Sequence, residues 1–244
     1  MSNAVYAMLA RQQGLMQEMQ VVANNIANAS TTGYKSDKAI FGEFLVSAGS
    51  QSSSLSMGGL AGHSFAMEQG PLKITGGELD LAIQGDGFFL VDTPQGQRLT
   101  RAGHFQMSSD GTLVDMNGSA LLGAGGSPIS IPQNASQIRI SADGTLSVSS
   151  GDGLPPQDVG QVGVVSPEGT LLRDSNSYFS APDGYGKSDQ AEIVQGALEQ
   201  SNVSPVLEVS RMIEVQRAYE AGQALLERED QRVSQIINTV RNGP

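Results

Sequence analysis

Cysteine and tryptophan are both missing from this sequence, and histidine occurs only twice, as His63 and His104, in 244 residues. Without cysteine there can be neither a disulfide framework nor a thiolate metal site, so the chain can fold alike in oxidising and reducing compartments. A zinc site would have to combine two separated histidines with scattered carboxylates, which argues against one. Basic residues are also few. The 14 Lys and Arg against 25 acids leave a formal charge of −11, the reverse of the phosphate-neutralising surface that nucleic acid requires. Long apolar runs are absent: stretches such as Phe88-Phe89-Leu90-Val91 fall far short of the roughly 20 residues that span a bilayer. The opening Met1-Ser2-Asn3-Ala4-Val5-Tyr6 has no basic n-region and no apolar core, so no cleaved secretory signal is expected.

What is present divides the chain in three. Of the 30 glycines, 24 fall between residues 47 and 190, so the ends and the middle are different materials. The stretch 47–65 is rich in Ser and Gly and is expected to be a flexible linker. After it, apolar residues alternate at Leu79/Leu81/Ile83, Ile129/Ile131, Ile138/Ile140 and Leu146/Val148, the period of half-buried strands. The similar segments SSDGTLV (108–114) and SADGTLSV (141–148) each offer an Asp-Gly hairpin turn. A central β domain over 66–190 follows.

The ends follow a helical period. Val5, Met8, Gln12, Leu15, Met19, Val22 and Ile26 recur at spacings of three and four. So do Val209, Met212, Gln216, Tyr219, Gln223, Leu226, Asp230, Val233, Ile237 and Val240. Each set draws one seam along a helix, and Ser204-Pro205 supplies the cap and first-turn proline of the second. Neither helix can bury its seam alone, so they must pack on each other or on neighbouring copies. Glu208 with Arg211 and Glu214 with Arg217 are spaced to pair along the helix surface. The expected class is α+β: an N-terminal segment (1–46) whose helix runs from Met1 to Asn28 and a C-terminal helical segment (191–244) whose helix runs from Pro205 to Asn242, the two pairing as a coiled coil, with an all-β domain inserted.

No catalytic constellation emerges. His63-Ser64 lies in GHSFA, where Ala66 replaces the glycine a nucleophile elbow needs. Gly85-Asp86-Gly87 sits between strands rather than ahead of a helix, so it reads as a tight hairpin turn and not a phosphate loop. Glu78, Asp80 and Asp86 could be taken for a glycosidase pair, but Asp80 alternates with Leu79 and Leu81 and reads as an outward, solubilising charge. No cofactor and no metal is expected.

At the end of the first helix the sequence runs Ala23-Asn24-Asn25-Ile26-Ala27-Asn28-Ala29-Ser30-Thr31-Thr32-Gly33-Tyr34-Lys35. Further on come LDLAIQGDGFFLV (79–91), LTRAGHFQMSSDGTL (99–113) and the block from Val194 that contains GALEQSNV and MIEVQRAYE. In this order the four stretches resemble the signatures of the flagellar rod and hook family. Leu99 and His104 are small departures from the usual Tyr and Ser. The resemblance singles out Asn24, Asn25, Asn28, Thr32, Gly33, Tyr34, Gln216, Arg217 and Tyr219. It implies a structural subunit of the basal-body rod, proximal or alternatively distal, whose terminal helices pack with its own kind and with other rod proteins. It further implies passage through the flagellar type III export apparatus, a place in the rod across the periplasm, and an outward-facing β domain. The rival, a β domain that binds cell wall, would need a concave aromatic or paired-carboxylate site.

Overall fold

The computed structural model describes residues 3–46, 55–150, 155–175, 177–188 and 190–241. They form two compact units, one of residues 1–27, 36–66 and 204–244, the other of residues 28–35 and 67–203.

The first unit contains α1 (Asn3–Ala27), the strands β1 (Asp37–Val46) and β2 (Leu55–Phe65), and α2 (Pro205–Arg241). Proline opens α2, where its missing N–H costs nothing, and Glu208 N donates to Ser204 O at 3.1 Å. The strand pair corrects the expected linker. Residues 47–54 lie outside the described residues, but 55–65 form a full strand, paired antiparallel with β1 from Asp37↔Phe65 to Val46↔Leu55 with a bulge after Ile40. Small residues give β2 little to bury, yet backbone hydrogen bonding to the apolar β1 is enough, because strand formation depends on the neighbour more than on intrinsic preference. Gly14 lets α1 approach this hairpin, since a Cβ there would stand 3.2 Å from the Phe41 ring.

The second unit is all β: β3 (Leu72–Ile74), β4 (Leu81–Gln84), β5 (Phe88–Thr93), β6 (Gly96–Thr100), β7 (Phe105–Met107), β8 (Leu113–Asp115), β9 (Ala120–Leu121), β10 (Gln137–Ile140), β11 (Thr145–Ser149), β12 (Gln157–Gln161), β13 (Val164–Pro167), β14 (Leu172–Arg173), β15 (Tyr178–Ser180), β16 (Tyr185–Lys187), β17 (Glu192–Gln195) and β18 (Ala197–Glu199). The main sheet runs β14-β15-β6-β5-β9-β8-β7, with β13 also on β5, and β10-β11-β12 form a second. The core joins both, including Phe89, Phe105, Leu113, Leu146 and Ile193, with Phe89 and Phe105 edge to face at 5.4 Å.

Several expectations change here. Residues 192–199 belong to the β unit and not to the C-terminal helical segment: β17 pairs with β4 and β18 with β3, so the β unit recruits strands from beyond its expected end. Leu81, Ala82 and Ile83 are all buried, because β4 is covered on both faces rather than alternating. Gly85-Asp86-Gly87 is not a hairpin, since β4 and β5 pair with different partners; it carries the chain between sheets with Gly85 and Gly87 at φ of 95° and 150°. Asp80 is 8% exposed and accepts hydrogen bonds from Thr75 Oγ1 at 2.5 Å and, with His104 carrying the proton on Nδ1, from that ring at 2.5 Å. The local pattern could not reveal the Asp80–His104 bridge that covers it.

The two DG hairpins do share one geometry. In each, the residue three before the glycine donates to the residue after it (Ser108 N to Thr112 O, Ser141 N to Thr145 O, both 2.9 Å) and accepts from the glycine. Only Gly111 and Gly144 take positive φ, each 86°, so the aspartates act through side-chain hydrogen bonds instead. Asp115–Ser119 and Gly123–Ser127 repeat the same loop around Gly118 and Gly126. Gly103 is under a different constraint: a Cβ would lie 1.6 Å from Leu81 O. Alanine at Gly118, where nothing lies within 4 Å, is expected to cost about 1–2 kcal/mol for its conformation alone. Alanine at Gly103 must also force strands apart and is expected to cost more, which urea denaturation followed by circular dichroism will rank.

Candidate assembly surface

On α1 the expected seam faces inward throughout the described side chains. Val22 and Gln12 are buried and Val5, Met8, Leu15, Met19 and Ile26 half-buried. Its partner is α2, running antiparallel: Gln12 Nε2 donates to Tyr219 O at 2.9 Å, and Arg211 Nη2 lies 2.8 Å from Glu18 Oε1. Arg211 therefore reaches across to α1 rather than along to Glu208.

On α2 the covered positions and the expected seam coincide only at some residues. Met212, Tyr219 and Leu226 are half-buried at intervals of seven, but the residues that are covered three positions after each are Val215, Gly222 and Glu229, with Ala218 beside Tyr219, and not Gln216, Gln223 and Asp230. Spacing of three and four allows either choice after each step of seven, and only packing decides. Gly222 stands against the Gln12 side chain, where a Cβ would lie 2.6 Å from Gln12 Nε2. A glycine inside a 37-residue helix, at a cost of about 1 kcal/mol, was the sequence signal for this close approach. Val209, Val233 and Ile237 are exposed at 47%, 46% and 58%, so they are not part of the seam within the chain. The side chain of Val240 lies outside the described residues.

The signature at the end of α1 divides between two tasks. Asn25 closes the first unit: its Nδ2 donates to Asp37 O and its Oδ1 accepts from Asp37 N, both at 2.9 Å. Asn24, Gln216 and Arg217 lie on exposed faces, and Thr32 is half-buried. Asn28 O accepts from Thr31 N at 3.1 Å, while the helix itself already ends at Ala27, so Gly33 does not cap it. Gly33 has φ of 70° because the chain presses against residues 101–102, where a Cβ would come within 2.3 Å of Arg101 C and Ala102 N.

From Gly33 a buried ring of charges and aromatics closes inside the second unit. Gly33 N donates to Glu199 O at 2.8 Å. Lys35 Nζ donates to Glu199 Oε1 at 2.7 Å and to Glu68 O at 2.8 Å, and Gly70 N adds a bond to the same carboxylate oxygen at 2.9 Å. Arg101 Nη1 meets Glu199 Oε2 at 3.0 Å, while Nη2 donates to Gly85 O at 2.7 Å, holding the Gly85–Gly87 connection. The Arg101 guanidinium lies 5.3 Å from the Phe88 ring centroid, Phe88 meets Phe179 edge to face, and Arg173 sits over Phe179 and the signature Tyr34 at 4.9 and 4.4 Å. Arg173 Nη2 then donates to Lys35 O, completing the circuit. Burial pushes the Lys35 ammonium below its ordinary value of 10.5, opposed chiefly by the hydrogen bond to Glu199. Every polar atom of Glu199 named here is occupied by a donor from the chain, an arrangement that fixes structure and offers a substrate nothing.

Glu199→Gln leaves two buried cations without a counter-charge and is expected to destabilise the second unit by about 3–5 kcal/mol, more than Lys35→Met, in chemical denaturation. Because folding lowers the Lys35 pKa, the unfolded chain holds more protons in the alkaline window below 10.5. The contribution of Lys35 to stability therefore rises with pH there, a slope that Lys35→Met is expected to lose.

The three segments that converge on Glu199 are those that family profiles recognise. Residues 1–35 match "Flagella basal body rod protein", residues 82–148 "Flagellar hook protein FlgE/F/G D1 domain", and residues 194–239 "Flagellar basal body rod FlgEFG protein C-terminal". The flagellar basal-body rod protein FlgF of Caulobacter vibrioides is 36% identical over 91% of both chains, and FlgF of Mesorhizobium japonicum 34% over 98% of both. FlgG of Bacillus subtilis is 30% identical over 99% of this chain and 100% of its own. The similarity thus favours FlgF slightly over FlgG, and the chain belongs to the flagellar basal-body rod protein family, whose members are structural proteins rather than enzymes.

Proposed function

We propose that the chain works as a subunit of the flagellar drive shaft, in the proximal part of the rod, with α1 and α2 paired as a coiled coil and joined through their outer faces to other rod proteins. The observation that supports this is the contrast between its two units. The β unit buries its large apolar side chains in a shared core, whereas the terminal helices leave Tyr6, Leu9, Met16, Val209, Ile213, Val233 and Ile237 exposed. Apolar residues in that number along two helices call for further partners. Burying each contributes on the order of 1.5–3 kcal/mol, which makes a shaft assembled from such helices stiff under torque. In this reading the subunit reaches the rod through the type III export apparatus and resides where the rod crosses the periplasm. Among the described residues no helix is long and apolar enough to cross a membrane.

Basal bodies purified from cells lacking this gene are expected to retain the inner-membrane base and to lose distal rod and hook. Swimming cells with complete rods would refute the proposal. Met212→Asp, which puts a charge into the α1–α2 seam, is expected to abolish flagellation while leaving the β unit's circular-dichroism signal intact; normally flagellated mutant cells would count against the seam.

A further inference from the structure

The β unit holds its own chain ends together. The chain enters it through residues 28–35 and leaves it at Val203, and the two segments there lie side by side. Gly33 N donates to Glu199 O at 2.8 Å and Asn202 N to Tyr34 O at 3.3 Å, so a step forward along one segment is a step forward along the other, and both run in the same direction. Lys35 Nζ on Glu199 Oε1 adds a charged rung. Each segment is also anchored to the body of the unit: Arg173 lies over the Tyr34 ring and donates to Lys35 O, while Gln200 N donates to Pro71 O at 2.9 Å. Gly33, Tyr34, Lys35, Glu199, Ser201 and Val203 are all buried, so water does not stand ready to replace each bond as it breaks.

We infer that this pairing is a mechanical clasp, which carries tension applied along the chain and keeps it out of the β core. The reason is direction. Tension draws the first segment by its N-terminal end and the second by its C-terminal end. Where neighbours run the same way, those two ends lie at opposite ends of the contact, so the load shears it and its bonds must give together. Segments running opposite ways would instead be peeled from one end, bond by bond, as a hairpin is. The 164 residues between Lys35 and Glu199 lie behind the clasp and bear none of the load until it opens. The inference goes beyond the rod reading, which adds only a source of load: it gives the buried charges a task that depends on the direction of force, where core stability has none.

The absence of native cysteine lets single molecules of the full chain be stretched between chosen thiol handles. With Ser2→Cys and Asn242→Cys, the terminal helices are expected to open first. The clasp then gives way and the core follows in the same step, freeing all 164 residues, about 540–590 Å of extended chain. An earlier separate step of about 30 Å, the length of residues 192–199 peeling from β4 and β3, would overturn the inference without the need of any variant. Handles at Ser109→Cys and Asp158→Cys load the core and bypass the clasp. Forced opening follows the barrier along the pulled path, so Glu199→Gln is expected to lower the opening force by a larger fraction through the terminal handles than through the internal ones. Equal fractional losses along both paths would mean a general loss of stability and refute the clasp; should Glu199→Gln not fold, Lys35→Met takes its place in the comparison. Both results are read on the isolated chain and leave the rod reading as it stands.

Discussion

The carboxylate of Glu199 must neutralise two cations in the interior of the second unit, and the positions of three distant segments follow from that requirement. Lys35 arrives from the end of the first helix and Arg101 from the loop after β6, while Glu199 itself ends β18. Burying any one of these charges alone would be costly. Together they fix the path of residues 33–35, the turn at 85–87 and the pairing of β18 with β3. Arg173, Tyr34 and the Phe88–Phe179 pair extend the same cluster. The blocks by which this chain resembles its relatives are therefore one construction, seen in sequence as separate pieces.

Two strategies of stabilisation are set side by side in one chain. The β unit satisfies itself: its core is closed, its turns repeat a single five-residue loop four times, and its buried charges are matched within it. The helical unit is specified differently. One buried polar side chain, Gln12, ties α1 to α2 by a hydrogen bond to the backbone oxygen of Tyr219, beside Gly222. Such polar positions sacrifice some stability for a unique alignment. That alignment leaves α2 longer than its partner and both helices with apolar stripes facing outward. A subunit built so has a finished domain and an unfinished one, which suits a component whose helices complete their burial on assembly.

The nature of the polar clusters also bears on what the protein does not do. The Glu199 carboxylate accepts from Lys35, Arg101 and the Gly70 amide; Asp115 accepts from Tyr178 and from the amides of Asn117 and Ser119; Asp80 is held by Thr75 and His104. In each case the carboxylate is committed to donors of the chain itself. Asp80, which sequence inspection weighs as one of a catalytic pair, is here the fastening of a strand end.

Sequence alone determined what depends on local periodicity and on residue type. The two terminal helices, the inward stripe of α1, Met212, Tyr219 and Leu226, the strands around 138–148 and the two DG turns were all legible, because a helix or hairpin repeats its own constraint every few residues. The family resemblance was legible too, since it is a property of residue order. What only the tertiary structure decided is what depends on a distant partner. Residues 55–65 became a strand because β1 offers its backbone, and 192–199 joined the β unit because β3 and β4 lacked partners. Val215 and Gly222 are covered in place of Gln216 and Gln223 where Gln12 stands against α2. Asp80 and Glu199 went inside because distant partners meet them, His104 from 24 residues away and Lys35 from 164. Burial of a charge is settled by what stands opposite it in space, and no pattern within a single segment carries that information.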